Sequence, residues 1–401
     1  MDFDHLARLL DPYPLEEFLA SSWGKTYKHI HGWPGKFRHH LPWGQLNEIL
    51  RRHRLDFPRL RLMQNGKSLP TSSYLRHVTG GRRKTPIPRL LPVALMTQLR
   101  QGATLVLDAV DELYQPLERL AEGLEWFFHE RIQINAYAGW QTSRGFDLHW
   151  DDHDVFILQV TGRKRWGIYG VTRPYPLAQD REHSQKPDQE PLWEAVLEDG
   201  NVLYIPRGWW HAATPLAEPT LHLTVGVHNR TGIDLLRWLT DRMCSSEVFR
   251  KDLPRFASGP EQAEHLERLR SELIAEWDES LLDRYYDDSD AMAGPRPYLS
   301  LPWGATSDAL PHSDDTLVRL TAPRPFAMKV DSKRGVVEFS CNGKRWQFAS
   351  ESMAILSRLA EARACSVSEL CEVAGGQLEE RTIRTFLNEL IDNGLLTIVS
   401  D

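Results

Sequence analysis

The sequence predicts an α+β protein in three parts: a small antiparallel barrel behind a mixed N-terminal layer, a helical segment, and a compact C-terminal module. Three observations carry this. Apolar and polar residues alternate with a period of two between about 131 and 228, helical spacing takes over from 232 to about 290, and an Asn-Gly hairpin with short amphipathic runs closes the chain. The 401 residues suffice for two or three domains, and 41% hydrophobic with 26% charged residues is an ordinary globular balance. No apolar run approaches the roughly 20 residues that cross a bilayer, so no membrane association is expected. The first residues, MDFDHLARLLDPYPLEEF, are acidic and helix-like, unlike a secretory signal. Cys244, Cys341, Cys365 and Cys371 lack paired spacing, which argues against a disulfide framework or structural zinc and favours a reducing cytoplasm.

Residues 1–130 mix short helical stretches with Pro- and Gly-marked turns. Leu117, Leu120, Leu124 and Phe128 recur at helical spacing and predict a helix near 117–129. Charge is uneven: residues 1–100 carry 17 Lys and Arg against 7 Asp and Glu, and the remaining 301 carry 31 against 48. Clusters such as RRHRLDFPRLR (51–61) and GRRK (81–84) fit RNA, a ribosomal surface or an acidic peptide; they equally fit a basic layer docked on the chain's own acidic remainder.

In RIQINAYAG, Ile132, Ile134, Ala136 and Ala138 alternate with Gln133, Asn135 and Tyr137. TLHLTVGVH alternates Leu221, Leu223, Val225 and Val227 with His222, Thr224 and His228. One face of each strand is therefore apolar and the other polar, as in a surface strand or the wall of a wet pocket in a small barrel. Beyond 231, GIDLLRWLTDRM (232–243) and a stripe of Leu266, Leu269, Leu273, Trp277 and Leu281 read as amphipathic helices, the stripe serving as core or as a dimer interface. PRPYLSLPWG (295–304) reads as a linker. VVEFSCNGKRWQF is a hairpin turning at Asn342-Gly343, followed by helices near 349–362, 367–373 and 378–393 and a closing strand LLTIV, a winged-helix-like order. The last of these helices carries Glu379, Glu380, Glu389 and Asp392 against Arg381 and Arg384, which argues against a DNA-reading role.

The densest chemical signal is FDLHWDDHDVFILQV (146–160). In an extended strand His149 and Asp151 point to one side, and two imidazoles with one carboxylate on one face suit a non-haem Fe(II) centre. His211, 62 residues after His149 in EDGNVLYIPRGWWHAATP, is the best third ligand, beyond a turn at Asp199-Gly200 and a corner at Pro206 to Gly208. Asp147 and His153 are rivals on the same face and Asp152 is out of phase. A polar hydrogen-bonded loop is the alternative to a metal site.

HWDDHDVFILQVTGRKRW (149–166) followed by DGNVLYIPRGWWH (199–211) resembles the JmjC-type cupin oxygenases, and within them the ribosomal oxygenases. The resemblance implies a double-stranded β-helix core, a helical dimerisation segment and a C-terminal winged helix. It implies His149, Asp151 and His211 as ligands of Fe(II), with 2-oxoglutarate and O2 as co-substrates. Lys164 matches the basic residue that grips the distal carboxylate of 2-oxoglutarate, with a solvated charge in the Arg163–Arg165 turn as the alternative. Asn135 and Tyr137 match positions that hold the substrate side chain, and His222 and Thr224 face the same interior toward the co-substrate. Gly226 stands where histidine-hydroxylating relatives carry a serine and arginine-hydroxylating ones are more open, so the target residue stays undetermined. Trp140, Trp150, Trp209 and Trp210 surround the motif as packing, with Trp140 or Trp209 candidates for a peptide groove and the loop 139–148 at the mouth.

The expectation is a cytoplasmic, homodimeric 2-oxoglutarate-dependent dioxygenase that hydroxylates a side chain of a protein or peptide. Its parts would be an oxygenase domain with the basic layer (1–231), a helical dimerisation segment and linker (232–304), and a winged-helix-like domain (305–401). Alternatives are a precursor-peptide hydroxylase, a lysine demethylase, a non-catalytic peptide- or RNA-binding cupin, and a winged-helix regulator.

Overall fold

The computed structural model describes residues 4–80, 85–183, 185–306, 310–362, 364–376 and 378–399, so the GRRK cluster at 81–84 lies outside the described residues. The chain divides into two compact units at 229/230. The first begins with α1 (Asp4–Leu10), α2 (Leu15–Ser21), β1 (Lys28–Ile30) and α3 (Trp43–Arg52). Next come β2 (Leu60–Gln64), β3 (Lys67–Ser68), a ribbon of β4 (Leu75–Gly80) and β5 (Thr85–Leu90), α4 (Pro92–Arg100), β6 (Thr104–Leu107) and α5 (Gln115–Phe128). The remaining strands are β7 (Ile132–Gly139), β8 (Asp154–Thr161), β9 (Lys164–Val171), β10 (Trp193–Leu197), β11 (Val202–Ile205), β12 (Trp209–Pro215) and β13 (Thr220–Val227).

These strands build an eight-stranded sheet, β1-β11-β8-β13-β7-β6-β2-β3, and a three-stranded sheet, β10-β9-β12. The period of two explains how one strand serves two environments. On β13, Leu221, Leu223, Val225 and Val227 enter the main core with Phe18, Leu117, Leu120 and Leu124 from the helices. The alternate residues of the central strands turn the other way, where Val155, Ile157, Leu203 and Ile205 of the large sheet meet Trp166 and Ile168 of the small one. Both faces of β8 are therefore covered, and it reads as a nearly continuous apolar run. Part of the basic layer is tied to the unit's own acids: Arg59 pairs with Glu112, Arg61 with Asp108 at 2.7 Å, and Arg38 with Asp199 at 3.1 Å.

The second unit begins with α6 (Gly232–Met243), α7 (Glu247–Arg250), α8 (Gly259–Glu276) and α9 (Leu281–Met292). Thr231 and Asp234 form a capping box that starts α6. The expected stripe does not lie on one helix. α8 ends at Glu276, Trp277 caps it, and Leu281 opens α9 and is buried there, whereas Leu266, Leu273 and Trp277 are exposed. Asp278 breaks the run by accepting from the Ser280 backbone N–H and hydroxyl, a local turn that competes with helix continuation. Then follow β14 (Leu317–Leu320), β15 (Lys329–Asp331), β16 (Val336–Cys341), β17 (Lys344–Ala349), α10 (Met353–Ala362), β18 (Ala364–Ser366), α11 (Val367–Val373), α12 (Glu380–Asp392) and β19 (Leu396–Ile398). Asn342 and Gly343 turn the β16–β17 hairpin with φ of 54° and 68°, as a two-residue turn requires. On α12, Arg384 is committed to Glu380, Asp314 and the Pro311 and His312 carbonyls.

Gly200, just before β11, has φ +90°, and a Cβ there would lie 2.0 Å from the Trp33 carbonyl oxygen. Gly200→Ala should destabilise the protein by about 2–4 kcal/mol, a backbone clash added to left-handed strain. Gly44→Ala, in open space on α3, should be neutral or stabilising by up to about 1 kcal/mol. Denaturant unfolding of both variants checks the contrast.

Candidate metal centre

A cavity of about 560 Å³ opens between the two sheets of the first unit. The large sheet contributes Tyr137, Ile157, His222 and Thr224, and the small sheet contributes Lys164, Trp166, His211 and Ala213. Gly145, Phe146 and Leu148 reach it from the loop expected at the mouth. Trp150 and Trp210 line it as well, whereas Trp140 packs with Trp43 and Trp209 with Tyr27 elsewhere.

His149, Asp151 and His211 converge so that one ligand atom from each lies within 4.8 Å of the others, the one such group among the described residues. His211 lies on β12, but His149 and Asp151 do not sit on a regular strand as expected. β8 starts only at Asp154, and His149 instead forms an isolated bridge with His211. His149 N–H donates to His211 O at 3.2 Å, His211 N–H to His149 O at 2.8 Å, and Gly208 N–H to Asp151 O at 2.9 Å. A flat strand holds side chains i and i+2 parallel, about 6.5–7 Å apart. The irregular segment, with a register shift between Trp210 and His211 on its partner, allows convergence instead.

Both imidazoles are oriented by the backbone. His149 Nδ1 lies 2.8 Å from Asp147 O and His211 Nδ1 lies 2.9 Å from Trp209 O. A carbonyl only accepts, so each Nδ1 carries the hydrogen and each Nε2 keeps its lone pair for a metal. His211 Nε2 stands 3.5 Å from Asp151 Oδ2. Burial and the neighbouring His149 push the His211 imidazole down to about 4, which keeps it neutral. The donor set of two imidazoles and a carboxylate fits a divalent transition metal of the facial-triad kind. The rivals lie elsewhere. The Asp147 carboxylate rests against Gly66, and His153 pairs with Asp152 at 3.1 Å and stacks on His228.

Lys164 is buried and turned inward, while Arg163 pairs with Glu218 and Arg165 with Glu194 on the outside. Among the described residues no carboxylate partners Lys164, and burial alone pushes its ammonium down to about 7. Two neighbours are buried with polar atoms unpartnered: Trp166 Nε1 and His222 Nδ1. His222 stacks on Tyr137 at 4.9 Å between ring centres and is held well below its ordinary pKa, first by burial and then by the charge of Lys164. A lone buried cation beside orphaned polar atoms is a cradle for an anion. Tyr137 lines the wall, its phenol raised above its ordinary value by burial and the charges of Asp151 and Asp108. Asn135 does not reach the cavity wall. Its amide oxygen accepts from Ala109 N–H and Gln133 Nε2, both at 2.9 Å, so it braces β7.

Sequence reasoning missed Arg61. Its Nη2 is held by Asp108, its Nε is buried without a partner, and it lines the cavity. The signal was its place between inward-packed Leu60 and Leu62 on β2, where a period of two turns it to the opposite face from those two leucines. Gly226 packs against His153: a Cβ there would lie 2.8 Å from the ring, so a serine could enter only if His153 moved.

Asp151→Ala should lose Co(II) or Mn(II) affinity by more than about 100-fold, exceeding the loss usual for second-sphere changes, while Asp152→Ala should lose about tenfold or less. Isothermal titration separates the two.

Residues 110–235 match the family model of the JmjC domain. Over 230 residues the chain is 31% identical to a protein from Drosophila pseudoobscura pseudoobscura named bifunctional lysine-specific demethylase and histidyl-hydroxylase NO66, covering 56% of this chain and 23% of that one. It is 28% identical over 234 residues to the protein of that name from Aedes aegypti, covering 57% and 35%. The chain thus spans about a quarter to a third of these relatives. Among solved structures it resembles the Escherichia coli ribosomal oxygenase YcfD, with a TM-score of 0.54 at 17% identity, covering 96% of this chain and 98% of that one. A YcfD structure in complex with cobalt and 2-oxoglutarate gives 0.56 at 17% identity, covering 97% and 99%. Residues 110–235, which carry the triad, thus match the JmjC domain, and the chain shares its fold with YcfD along nearly its whole length.

Proposed function

We propose that the chain is an Fe(II)- and 2-oxoglutarate-dependent oxygenase that hydroxylates an amino-acid side chain in a protein or peptide. One observation carries this: a metal-ready triad and a buried, uncompensated Lys164 face the same cavity. Iron(II) bound with 2-oxoglutarate supplies oxygen activation, one atom of O2 entering the substrate C–H bond and the other converting the co-substrate to succinate and CO2. His149, Asp151 and His211, which all line the cavity, would hold the metal. Lys164 fixes the distal carboxylate by a charge-assisted hydrogen bond, and Trp166, His222 and Thr224 wall the co-substrate in and exclude water. Tyr137 holds the target side chain, with Asn135 bracing its strand.

A ribosomal protein is the favoured substrate class, supported by the fold shared with the ribosomal oxygenase YcfD, and the histidyl-hydroxylase and demethylase names of the NO66 relatives mark the alternatives. Mass spectrometry of ribosomal proteins and candidate peptides, incubated with protein, iron and 2-oxoglutarate, tests this. Hydroxylation adds the mass of one oxygen, and demethylation of a methylated lysine peptide removes a methyl. Neither product, with no succinate formed, would reject the oxygenase reading. We further read the second unit as a helical dimerisation segment, 232–304, before a winged-helix-like domain, and four unpaired cysteines fit a reducing cytoplasm. Exposed Leu266, Leu273 and Trp277 support a twofold contact. A folded monomer from the Leu273→Glu/Trp277→Glu double variant, beside a wild-type dimer in light scattering, is expected; a monomeric wild type would refute the contact.

Lys164→Met should weaken 2-oxoglutarate binding by about 30-fold or more, the loss of roughly 2 kcal/mol from a charge-assisted hydrogen bond. The pH sign follows from burial. With Lys164 near 7 in the free protein, binding above pH 7 must take up a proton, so the dissociation constant should rise by up to about tenfold per pH unit above 7. Lys164→Arg, charged throughout, should flatten that dependence. Titrations from neutral to mildly alkaline pH read both effects.

A further inference from the structure

A second cavity of about 590 Å³ lies in the first unit between the end of α3, β5 and the start of α4, and shares no lining residue with the metal centre. Arg51, Arg52, Arg54 and Arg89 rim it. Its floor is aliphatic, from Leu50, Leu55, Leu95 and Met96, the last 43% exposed.

The charge around this groove is under-compensated. From Phe57 to Leu107 the chain contains no Asp or Glu. Arg51 and Arg52, with side chains 63% and 68% exposed, share the single carboxylate of Glu48, and Arg54 reaches Asp56 only at 3.6 Å. Arg76 and Arg89 stand directly opposite each other across the β4–β5 ribbon, and neither has a carboxylate partner among the described residues. Like charges at opposed strand positions are destabilising unless something neutralises them. Arg59 and Arg61, by contrast, are spent on Glu112 and Asp108.

We propose that this groove docks an acidic peptide segment of a partner protein through a bulky aliphatic anchor. The guanidinium rim matches carboxylates, which it can grip bidentately, and the floor matches a Leu- or Ile-sized side chain. Nucleic acid fits less well, since among the described residues no Phe, Tyr or Trp lines the groove to stack a base, and His53 is its one aromatic ring. Strand addition to β5 is also disfavoured, because Pro86 and Pro88 lack the N–H groups an added strand would need. The groove is separate from the oxygenase site, so docking requires neither metal nor 2-oxoglutarate.

Fluorescence anisotropy on the full chain tests this with three probes: a labelled peptide of Asp and Glu around a central Leu-Ile pair, its counterpart with Gly in place of that pair, and an RNA oligonucleotide of equal length. Saturable binding of the first at micromolar level is expected, weaker for the second and third by about tenfold and loosened by salt. Arg52→Glu/Arg89→Glu should cost about tenfold or more, and the uncharged Met96→Ser should weaken the first probe while leaving the Gly counterpart unchanged. Circular dichroism confirms folding, which these exposed positions should not disturb. No saturable binding, equal or tighter binding of RNA or of the Gly peptide, or insensitivity to the Arg variants would each overturn the proposal. All of these results are independent of whether succinate is formed.

Discussion

The site depends on the backbone bridge between His149 and His211. Two mutual hydrogen bonds close it, and each ring then donates Nδ1–H to the carbonyl two residues before it. Position and tautomer of both imidazoles are thus set by main chain, which cannot rotate away as a side-chain partner can. Asp151 enters the same frame because its own carbonyl is held by Gly208, the residue that turns the chain into β12. Three ligands from segments 62 residues apart therefore form one rigid face.

Around that face the two sheets divide their labour. The outer faces of the central strands bury leucines, valines and phenylalanines against the N-terminal helices and anchor the scaffold. Their inner faces combine an aliphatic end, Val155, Ile157, Leu203 and Ile205, with a polar end of Tyr137, His222 and Thr224 opposite Lys164. Lys164 is costly where it stands, since burial pushes its ammonium down; the Trp166 ring lies 5.6 Å away, but among the described residues no carboxylate offsets the cost. Such a group persists when a ligand supplies the missing charge, and the unpartnered Trp166 and His222 nitrogens point to the same missing partner.

Much of this was legible in the sequence because the period of two is a local signal. It separated Ile132, Ile134, Ala136 and Ala138 from Tyr137, and Leu221, Leu223, Val225 and Val227 from His222 and Thr224, on the sides where the fold puts them. The H-x-D pair was legible as chemistry but not as geometry, since its bridge to His211 is a long-range pairing that no local pattern encodes. Asn135 shares the polar face with Tyr137, but face alone says nothing about which residues of a face the cavity reaches. Arg61 was hidden in a run of arginines, where charge masked its alternation with Leu60 and Leu62. The stripe from Leu266 to Leu281 shows the converse: helical spacing continued across Asp278, where a side-chain turn ended the helix.

The most direct measurement is anaerobic absorption spectroscopy of the Fe(II)-loaded protein titrated with 2-oxoglutarate. A keto acid chelating ferrous iron through two oxygens gives a visible charge-transfer band. The structure predicts that the band appears and saturates in the wild type, disappears in His211→Ala, and needs far higher co-substrate in Lys164→Met. A wild-type protein that binds iron yet shows no band at any concentration of 2-oxoglutarate would contradict the assignment of triad and cradle to one site.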